Sequence, residues 1–209
     1  MKDRYSYRLG RSIPNPELRS ESSWNMDIGY AYIPGTKLQF KTAIFYSRLQ
    51  HAIQAVYGVD SNNSSVFQFQ NTGVAEFYGW EADLALHPLS GLQTGLQYTL
   101  IKRLNLSHPE IKFTDVPTHK LLLFIHYTLL SRLFLNLNST YNSPRISTSN
   151  GMFQTSPLFT MDFISSFDIS ESLTLEASVS NLLDASYSYV EGYPAPGRQY
   201  FFGLRYKLR

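Results

Sequence analysis

The feature of this sequence that most limits its fold is an alternation of apolar and polar residues with a period of two. The last stretch of the chain shows the alternation most clearly. Its apolar members are Tyr200, Phe202, Leu204, Tyr206 and Leu208. On a β-strand, such alternate residues point to one face of the sheet, and the residues between them point to the other face. The alternation therefore favours an all-β fold with one apolar face and one polar face.

The same alternation recurs along the chain and predicts about nine antiparallel strands. Their approximate spans are 22–33, 36–56, 65–87, 91–103, 118–129, 132–142, 157–169, 172–186 and 198–208. Most spans exceed the usual strand length of about 5–6 residues in globular sheets. They fit the length of about 9–11 residues with which a tilted strand crosses a bilayer. The stretch from Lys120 to Leu129 is the weakest case, because it is apolar on both faces.

The predicted connections alternate between short turns and long loops. The short turns are at 34–35, 89–91, 130–131 and 170–171, and the long loops are at 57–64, 104–117, 143–156 and 187–197. Outer-membrane barrels have short periplasmic turns and long external loops. The pattern therefore predicts a portion of a transmembrane barrel, with residues 1–21 in an external loop and the C-terminus in the periplasm.

The composition supports a sheet with one apolar face and excludes several kinds of site. Charged residues make up 16% of the chain, below the share of about 25% in soluble domains. The net charge of +2 comes from scattered Lys and Arg, so no basic patch indicates nucleic-acid binding. The absence of cysteine excludes disulfides, a cysteine-ligated zinc site and a cysteine nucleophile.

The chain carries no obvious signal for export or for a membrane-spanning helix. No stretch approaches the length of about 18 consecutive apolar residues that such a helix needs. Residues Met1 to Tyr5 also lack the apolar segment of a signal peptide. A complete outer-membrane protein would need one, so either the chain is a fragment or gene remnant, or the membrane interpretation is wrong.

Side chains suited to catalysis or metal binding are present but not arranged in a recognisable motif. The histidines are His51, His87, His108, His119 and His126, and none has the spacing of a zinc site. No G-x-S-x-G sequence indicates a nucleophilic serine. The carboxylates of Glu81 and Asp83 fall on one face of a predicted strand, with Glu76 on the other, and are expected to line a wet lumen. The sequence therefore predicts no enzyme, no cofactor and no metal site, and it does not identify the substrate-binding residues.

Four segments, in this order along the chain, resemble the C-terminal barrel region of TonB-dependent outer-membrane receptors. They are Asn15–Ser22 followed by Asp27–Tyr30, Asn71–Gly73 leading to Tyr78–Glu81, Val116–Leu121, and Asn181–Tyr187 followed by Gly192–Arg198. Ser20 stands where the family usually has Pro, and Leu183 where it usually has Phe. The resemblance covers residues 15–209 and only the barrel part of such a receptor.

The resemblance implies a function that no pattern in the chain establishes alone. It identifies residues 1–209 as the C-terminal portion of a barrel of about 22 strands, with the plug domain and the rest of the barrel absent. The intact receptor would take up siderophore-iron, cobalamin or a similar nutrient complex across the outer membrane of a Gram-negative bacterium. Its partners would be outer-membrane lipid, the missing plug and barrel half, and the TonB complex, the last only through the intact receptor.

Three alternative functions remain open at this stage. A self-contained small outer-membrane barrel could have a pore or structural role, but bacterial single-chain barrels have even strand numbers. A soluble β-barrel could bind an apolar ligand inside, which would require apolar residues facing inward. An outer-membrane enzyme would require a catalytic arrangement that the sequence does not show.

Overall fold

The computed structural model describes residues 2–5, 7–59 and 66–208 and consists mainly of β-strands. A short helix α1 spans Lys2–Tyr5, and a 3-10 turn spans Arg8–Gly10. The strands are β1 Ser12–Ile13, β2 Ser22–Tyr32, β3 Leu38–Gln50, β4 Ile53–Tyr57, β5 Phe67–Asn71, β6 Ala75–Leu89, β7 Leu92–Asn105, β8 His119–Leu129, β9 Leu133–Asn142, β10 Leu158–Asp168, β11 Leu173–Ser180, β12 Ser188–Val190, β13 Tyr193–Pro194 and β14 Gln199–Tyr206. No helix among these residues has the length and apolar character needed to span a membrane.

Nine of the strands form one antiparallel sheet, as the sequence predicts. The strand order is β14-β11-β10-β9-β8-β7-β6-β3-β2. We call this sheet the wall, and each of its strands pairs with the wall strand that comes next along the chain. All eight pairings are antiparallel. The prediction of about nine strands from a barrel portion is confirmed.

The register places the two sets of alternating residues on opposite faces of this sheet. Ile125, Leu137 and Phe163 face one another across β8, β9 and β10 on one face. One residue further along β9, Asn138 lies between Phe124 and Asp162 on the opposite face. We call the first the outer face and the second the inner face.

The outer face is apolar and uncovered, and the sheet has little buried core. Ile28, for example, is 62% exposed. Only six hydrophobic residues are buried in the part of the chain that the structure describes, although 43% of the sequence is hydrophobic. A soluble sheet would bury its apolar face, whereas a membrane barrel turns that face to lipid. The arrangement therefore opposes the soluble alternative.

Short turns and long connections gather at opposite ends of the sheet, as predicted. Residues 33–37, 90–91, 130–132 and 169–172 form the short-turn end. In the turn between β8 and β9, Leu130 and Ser131 have φ values of 51° and 56°. Two consecutive residues with positive φ are typical of a tight β-hairpin turn. Residues 51–59, 66–74, 106–118, 143–157 and 181–198 form the other end, which we call the loop end.

Three predicted spans are wrong in extent. The spans 36–56 and 65–87 each divide into two strands, because the chain bends out of the wall at His51 (φ 55°) and Gly73 (φ 87°). The parts of these two spans that lie beyond the bends, β4 and β5, form a separate hairpin at the loop end. The span 172–186 ends at Ser180, because the next residue is in the left-handed region. Residues 60–64 of the predicted loop 57–64 lie outside the described residues.

The inner face of strand β8 carries Leu122 and Phe124 among three polar residues, and the Phe124 ring covers a glycine. Phe124 lies opposite Gly95 on β7. A Cβ atom on Gly95 would lie 2.5 Å from both the Cζ atom of Phe124 and the carbonyl oxygen of Leu84. An aromatic ring that covers a glycine on the neighbouring strand is a known device for fixing register. The presence of Phe124 on the inner face of β8 is therefore compatible with a transmembrane strand.

The number of strands determines how this sheet can close. With nine antiparallel strands, the edge strands β2 and β14 both run from the loop end to the short-turn end. Among the described residues, these two edges do not pair with each other. Pairing them would place parallel neighbours at the seam, whereas outer-membrane barrels are antiparallel. Closure into an antiparallel barrel therefore requires an odd number of further strands.

Candidate ligand pocket at the loop end

The loop end carries a small second sheet that the sequence analysis did not predict. The hairpin of β4 and β5 pairs with β1, which runs parallel to β5. The Nδ2 atom of Asn15 donates to the carbonyl oxygen of Phe69 at 2.8 Å. The amide nitrogen of Arg19 donates to Oδ1 of Asn71 at 2.7 Å. The residues that carry two of the family motifs therefore fasten residues 12–19 to the hairpin.

Three buried polar side chains meet where the hairpin joins the wall. Gln54 lies on β4, Thr72 follows β5, and Asn105 ends β7. The Thr72 hydroxyl and the Nδ2 atom of Asn105 both donate to Oε1 of Gln54, the latter at 2.7 Å. The Nε2 atom of Gln54 is buried and has no hydrogen-bond partner among the described residues. Among the described residues, Oε1 of Gln54 therefore accepts two hydrogen bonds and Nε2 donates none.

Gln54 lines a cavity of about 350 Å³ between the hairpin and the loop 106–118. The aromatic residues of its lining are Tyr57, Phe67, Phe69 and Phe113. Its charged residues are Arg8, Arg103, Lys112 and Asp115. Pockets for small molecules are usually apolar or aromatic concavities with a few placed polar groups. We call this cavity the hairpin pocket.

Cation–π contacts and backbone hydrogen bonds hold the walls of the hairpin pocket. The Cζ atom of Arg8 lies 5.1 Å from the ring centroid of Phe69. That of Arg103 lies 5.6 Å from the centroid of Phe113. Arg103 also donates to the carbonyl oxygens of Thr114 and Val116, at 3.2 Å and 3.3 Å. Arg103 therefore anchors the loop that forms one wall.

The Tyr57 hydroxyl remains protonated in this environment. Burial raises the pKa of Tyr57, and the Asp115 carboxylate raises it further, against a smaller opposing effect of Arg8. Its ordinary pKa is already about 10. At neutral pH, Tyr57 is therefore a hydrogen-bond donor in the wall of the pocket and not an anion.

The motif Asn181–Tyr187 has a structural role elsewhere at the loop end. Asn181 and Asp184 have φ values of 51° and 55°, which Asn and Asp tolerate better than most residues. The Asn181 amide side chain bonds to both backbone groups of Ala185, and Oδ1 of Asp184 accepts from the amide nitrogen of Arg198. These bonds return the chain to β14.

The inner face is polar at mid-height. Lys41, Glu81, Asp83 and Gln97 line a cavity of about 360 Å³ there. Glu81 and Asp83 share the inner face and Glu76 lies on the outer one, as predicted. Within residues 2–5, 7–59 and 66–208, no three His, Asp or Glu side chains are placed to hold a metal ion.

The histidines are dispersed over the sheet and the loops. His119 lies on the outer face opposite Leu100, and His126 lies on the inner face opposite Gln93, which agrees with their odd separation in sequence. His87 and His126 line a cavity of about 540 Å³ at the short-turn end. His51 and His108 lie at the loop end, and His108 pairs with Glu110.

Sequence comparison identifies relatives over most of this chain. Residues 3–182 match the family profile described as TonB dependent receptor-like, beta-barrel. The chain is also 25% identical, over an alignment 216 positions long, to the iron-regulated outer membrane virulence protein of Vibrio cholerae. That alignment covers 93% of this chain and 32% of the relative. The chain therefore spans about a third of the length of the curated relatives it matches.

Solved structures show the same fold at lower sequence identity. The ferric enterobactin receptor PfeA of Pseudomonas aeruginosa is 19% identical with a TM-score of 0.72, over 93% of this chain and 32% of that one. The copper transporter OprC is 18% identical with a TM-score of 0.77, over 92% and 32%. The siderophore receptor PirA of Acinetobacter baumannii is 18% identical with a TM-score of 0.72, over 93% and 33%.

Proposed function

Because the chain belongs to the TonB-dependent receptor family, as part of its β-barrel, we propose that it forms nine strands of an outer-membrane receptor that imports ferric siderophores. The observation that carries this proposal is the nine-stranded antiparallel sheet with an uncovered apolar face and its long connections at one end. This architecture supports a receptor wall with external loops for ligand capture.

Siderophore iron is preferred over the other substrates that the family resemblance implies. The names of several relatives refer to iron or to siderophores, and one refers to copper. The plug, the remaining strands and the coupling to TonB would come from residues outside this chain. The odd number of strands disfavours the self-contained small barrel.

Iron uptake by a fusion protein tests this proposal. In the fusion, the chain replaces the matching segment of the Vibrio cholerae relative. It is produced in a Gram-negative host that lacks its own siderophore receptors and is grown without free iron. We expect saturable uptake of radiolabelled iron from at least one ferric siderophore, and complete loss of uptake when TonB is deleted.

Two results would contradict the proposal. One is a fusion that reaches the cell surface but imports iron from none of a panel of ferric siderophores. The other is uptake that persists without TonB, because a passive pore needs no energy coupling. The unmodified relative, assayed in parallel, is the control for assembly and for the host.

A further inference from the structure

Charged side chains on the outer face lie at one margin of the wall. The alternation of the strands places Arg48, Glu76 and Lys102 on this face, close to the ends of β3, β6 and β7 at the loop end. In the described wall strands, every other charged residue occupies an inner-face position, namely Asp27, Lys41, Glu81, Asp83, Arg103, Lys120, Asp162, Asp168, Glu176 and Arg205. The outer face is therefore charged only beside the loop end.

One ammonium group at this margin has no counter-charge. The Nη1 atom of Arg48 lies 3.0 Å from Oε1 of Glu76, and the Tyr46 hydroxyl donates to the same oxygen at 2.6 Å. Lys102 is exposed, and its ammonium group has neither a carboxylate nor another hydrogen-bond partner among the described residues. The margin therefore carries one uncompensated positive charge beside a neutral ion pair.

His119 is a second polar group next to this ammonium group. It is exposed and lies on the outer face opposite Leu100 of β7. Lys102 occurs two residues after Leu100 on the same face, and such diagonal neighbours are about 7–8 Å apart. The Tyr98 hydroxyl lies 2.8 Å from Nδ1 of His119. In the tautomer in which Tyr98 donates to Nδ1, the Nε2 atom carries the proton and is a hydrogen-bond donor.

Aromatic side chains mark the level of Lys102 and His119 as a membrane–water interface. Tyr78 lies directly opposite Lys102, and Trp80 lies in the same cross-strand row as Leu100 and His119. Tyr78 and Trp80 are 40% and 41% exposed, and the ring centroids of Trp80 and Tyr98 lie 5.3 Å apart, edge to face. Tyr and Trp collect where lipid headgroups meet water. Lys102 and His119 are therefore placed at the level of the headgroups.

We propose that Lys102 and His119 bind a phosphate group on the headgroup of a lipid in the external leaflet. In the outer membrane of a Gram-negative bacterium this leaflet is a phosphorylated glycolipid, so the ligand is a phosphorylated lipid A. Lys102 supplies the point charge that a phosphate attracts, and His119 supplies a directional donor. The acyl chains lie along the uncovered apolar face. The inference rests on the membrane placement in the proposed function but not on iron import.

Lipid retention by the detergent-purified fusion tests the proposal. The probes are lipid A with its phosphates and the same lipid A after the phosphates have been removed, and native mass spectrometry counts the lipid molecules retained. Lys102→Gln is expected to weaken the retention of one phosphorylated lipid A about fivefold, because one cation at a headgroup is lost. The double variant with His119→Gln should weaken it further. Retention of the lipid without phosphates should not change.

Lys120→Gln is the matched control. Lys120 follows His119 on β8 and is also exposed, but it lies on the inner face opposite Thr99. This variant loses the same charge at the same level of the wall and should retain lipid A as the parent fusion does. A heat-dependent change in electrophoretic mobility shows that each variant has assembled.

Three results would overturn the inference. The first is equal retention of phosphorylated lipid A by the Lys102→Gln and Lys120→Gln variants. The second is equal retention of lipid A with and without phosphates by the parent. The third is displacement of the lipid by millimolar inorganic phosphate, which would indicate a site for the free anion. Each result leaves iron uptake by the fusion unaffected, whereas a parent fusion that imports no ferric siderophore would refute the proposed function and not the lipid site.

Discussion

When this chain alone is mixed with lipid vesicles, we expect that it does not form a closed barrel. Both edge strands, β2 and β14, run in the same direction, so neither self-closure nor pairing with a second copy in the same membrane orientation gives antiparallel seams. An open edge cannot satisfy its backbone groups within lipid. The chain should therefore stay protease-sensitive, and its electrophoretic mobility should be the same with and without heating.

Supplying the missing strands is expected to reverse this behaviour. The complement is the remaining barrel of the Vibrio cholerae relative, produced as a separate polypeptide and mixed with the chain during refolding. We expect a protease-resistant complex whose mobility changes on heating. A heat-modifiable species formed by the chain alone would contradict the inference that nine strands cannot close into an antiparallel barrel. A complement that has no effect, while the intact relative refolds under the same conditions, would contradict the inference that further strands complete the barrel.

Replacing Leu137 by Arg is expected to destabilise the assembled fusion by about 2–4 kcal/mol, the cost of an arginine on the lipid face near the bilayer midplane. Leu137 lies in the middle of β9 and faces Ile125 and Phe163 on the outer face. An arginine there would have to reach an interface or draw water into the bilayer. The measurement is equilibrium unfolding of the fusion in lipid vesicles with urea.

The neighbouring residue provides the control for this substitution. Asn138 follows Leu137 on β9 but lies on the inner face beside Asp162, so an arginine at 138 meets a polar surface and a carboxylate. We expect Asn138→Arg to change the free energy of unfolding by no more than about 0.5 kcal/mol. Equal costs at the two positions, or a larger cost at 138, would show that the faces are assigned the wrong way round.

The alternation of apolar and polar residues predicted the strands of the wall well, because the same alternation indicates where a strand lies and which face each residue occupies. A strand between lipid and lumen must place apolar and polar residues on opposite sides, and this requirement is visible in each segment alone. The bends at His51 and Gly73 were not predictable in the same way. They depend on backbone hydrogen bonds between distant residues, from Ala52 to Gly73 at 2.9 Å and from Thr72 to Ala52 at 2.7 Å.

The hairpin pocket could not be predicted from the sequence, because its residues come from separate parts of the chain. Gln54 and Asn105 are 51 positions apart and meet only when β4 leaves the wall beside the end of β7. A single Gln carries no local signal of function. The motif at Asn71–Gly73 was the nearest indication, and in the structure it contributes Thr72 to the buried cluster. That residues 1–21 are external and that no plug lies in this chain remain predictions.

Labelling of single cysteines tests most directly the central claim that the wall crosses the outer membrane with its long connections outside. The chain has no cysteine, so each substitution adds one reactive site within it, and the unsubstituted fusion gives the background labelling. Glu110→Cys and Asn150→Cys lie in exposed parts of the loop end, and Ser90→Cys and Ser131→Cys lie in short turns. Intact cells that carry the fusion are treated with a membrane-impermeant maleimide. We expect labelling at 110 and 150 in intact cells, and at 90 and 131 only after the outer membrane is opened. Labelling of the short turns in intact cells, with the loops protected, would contradict the account.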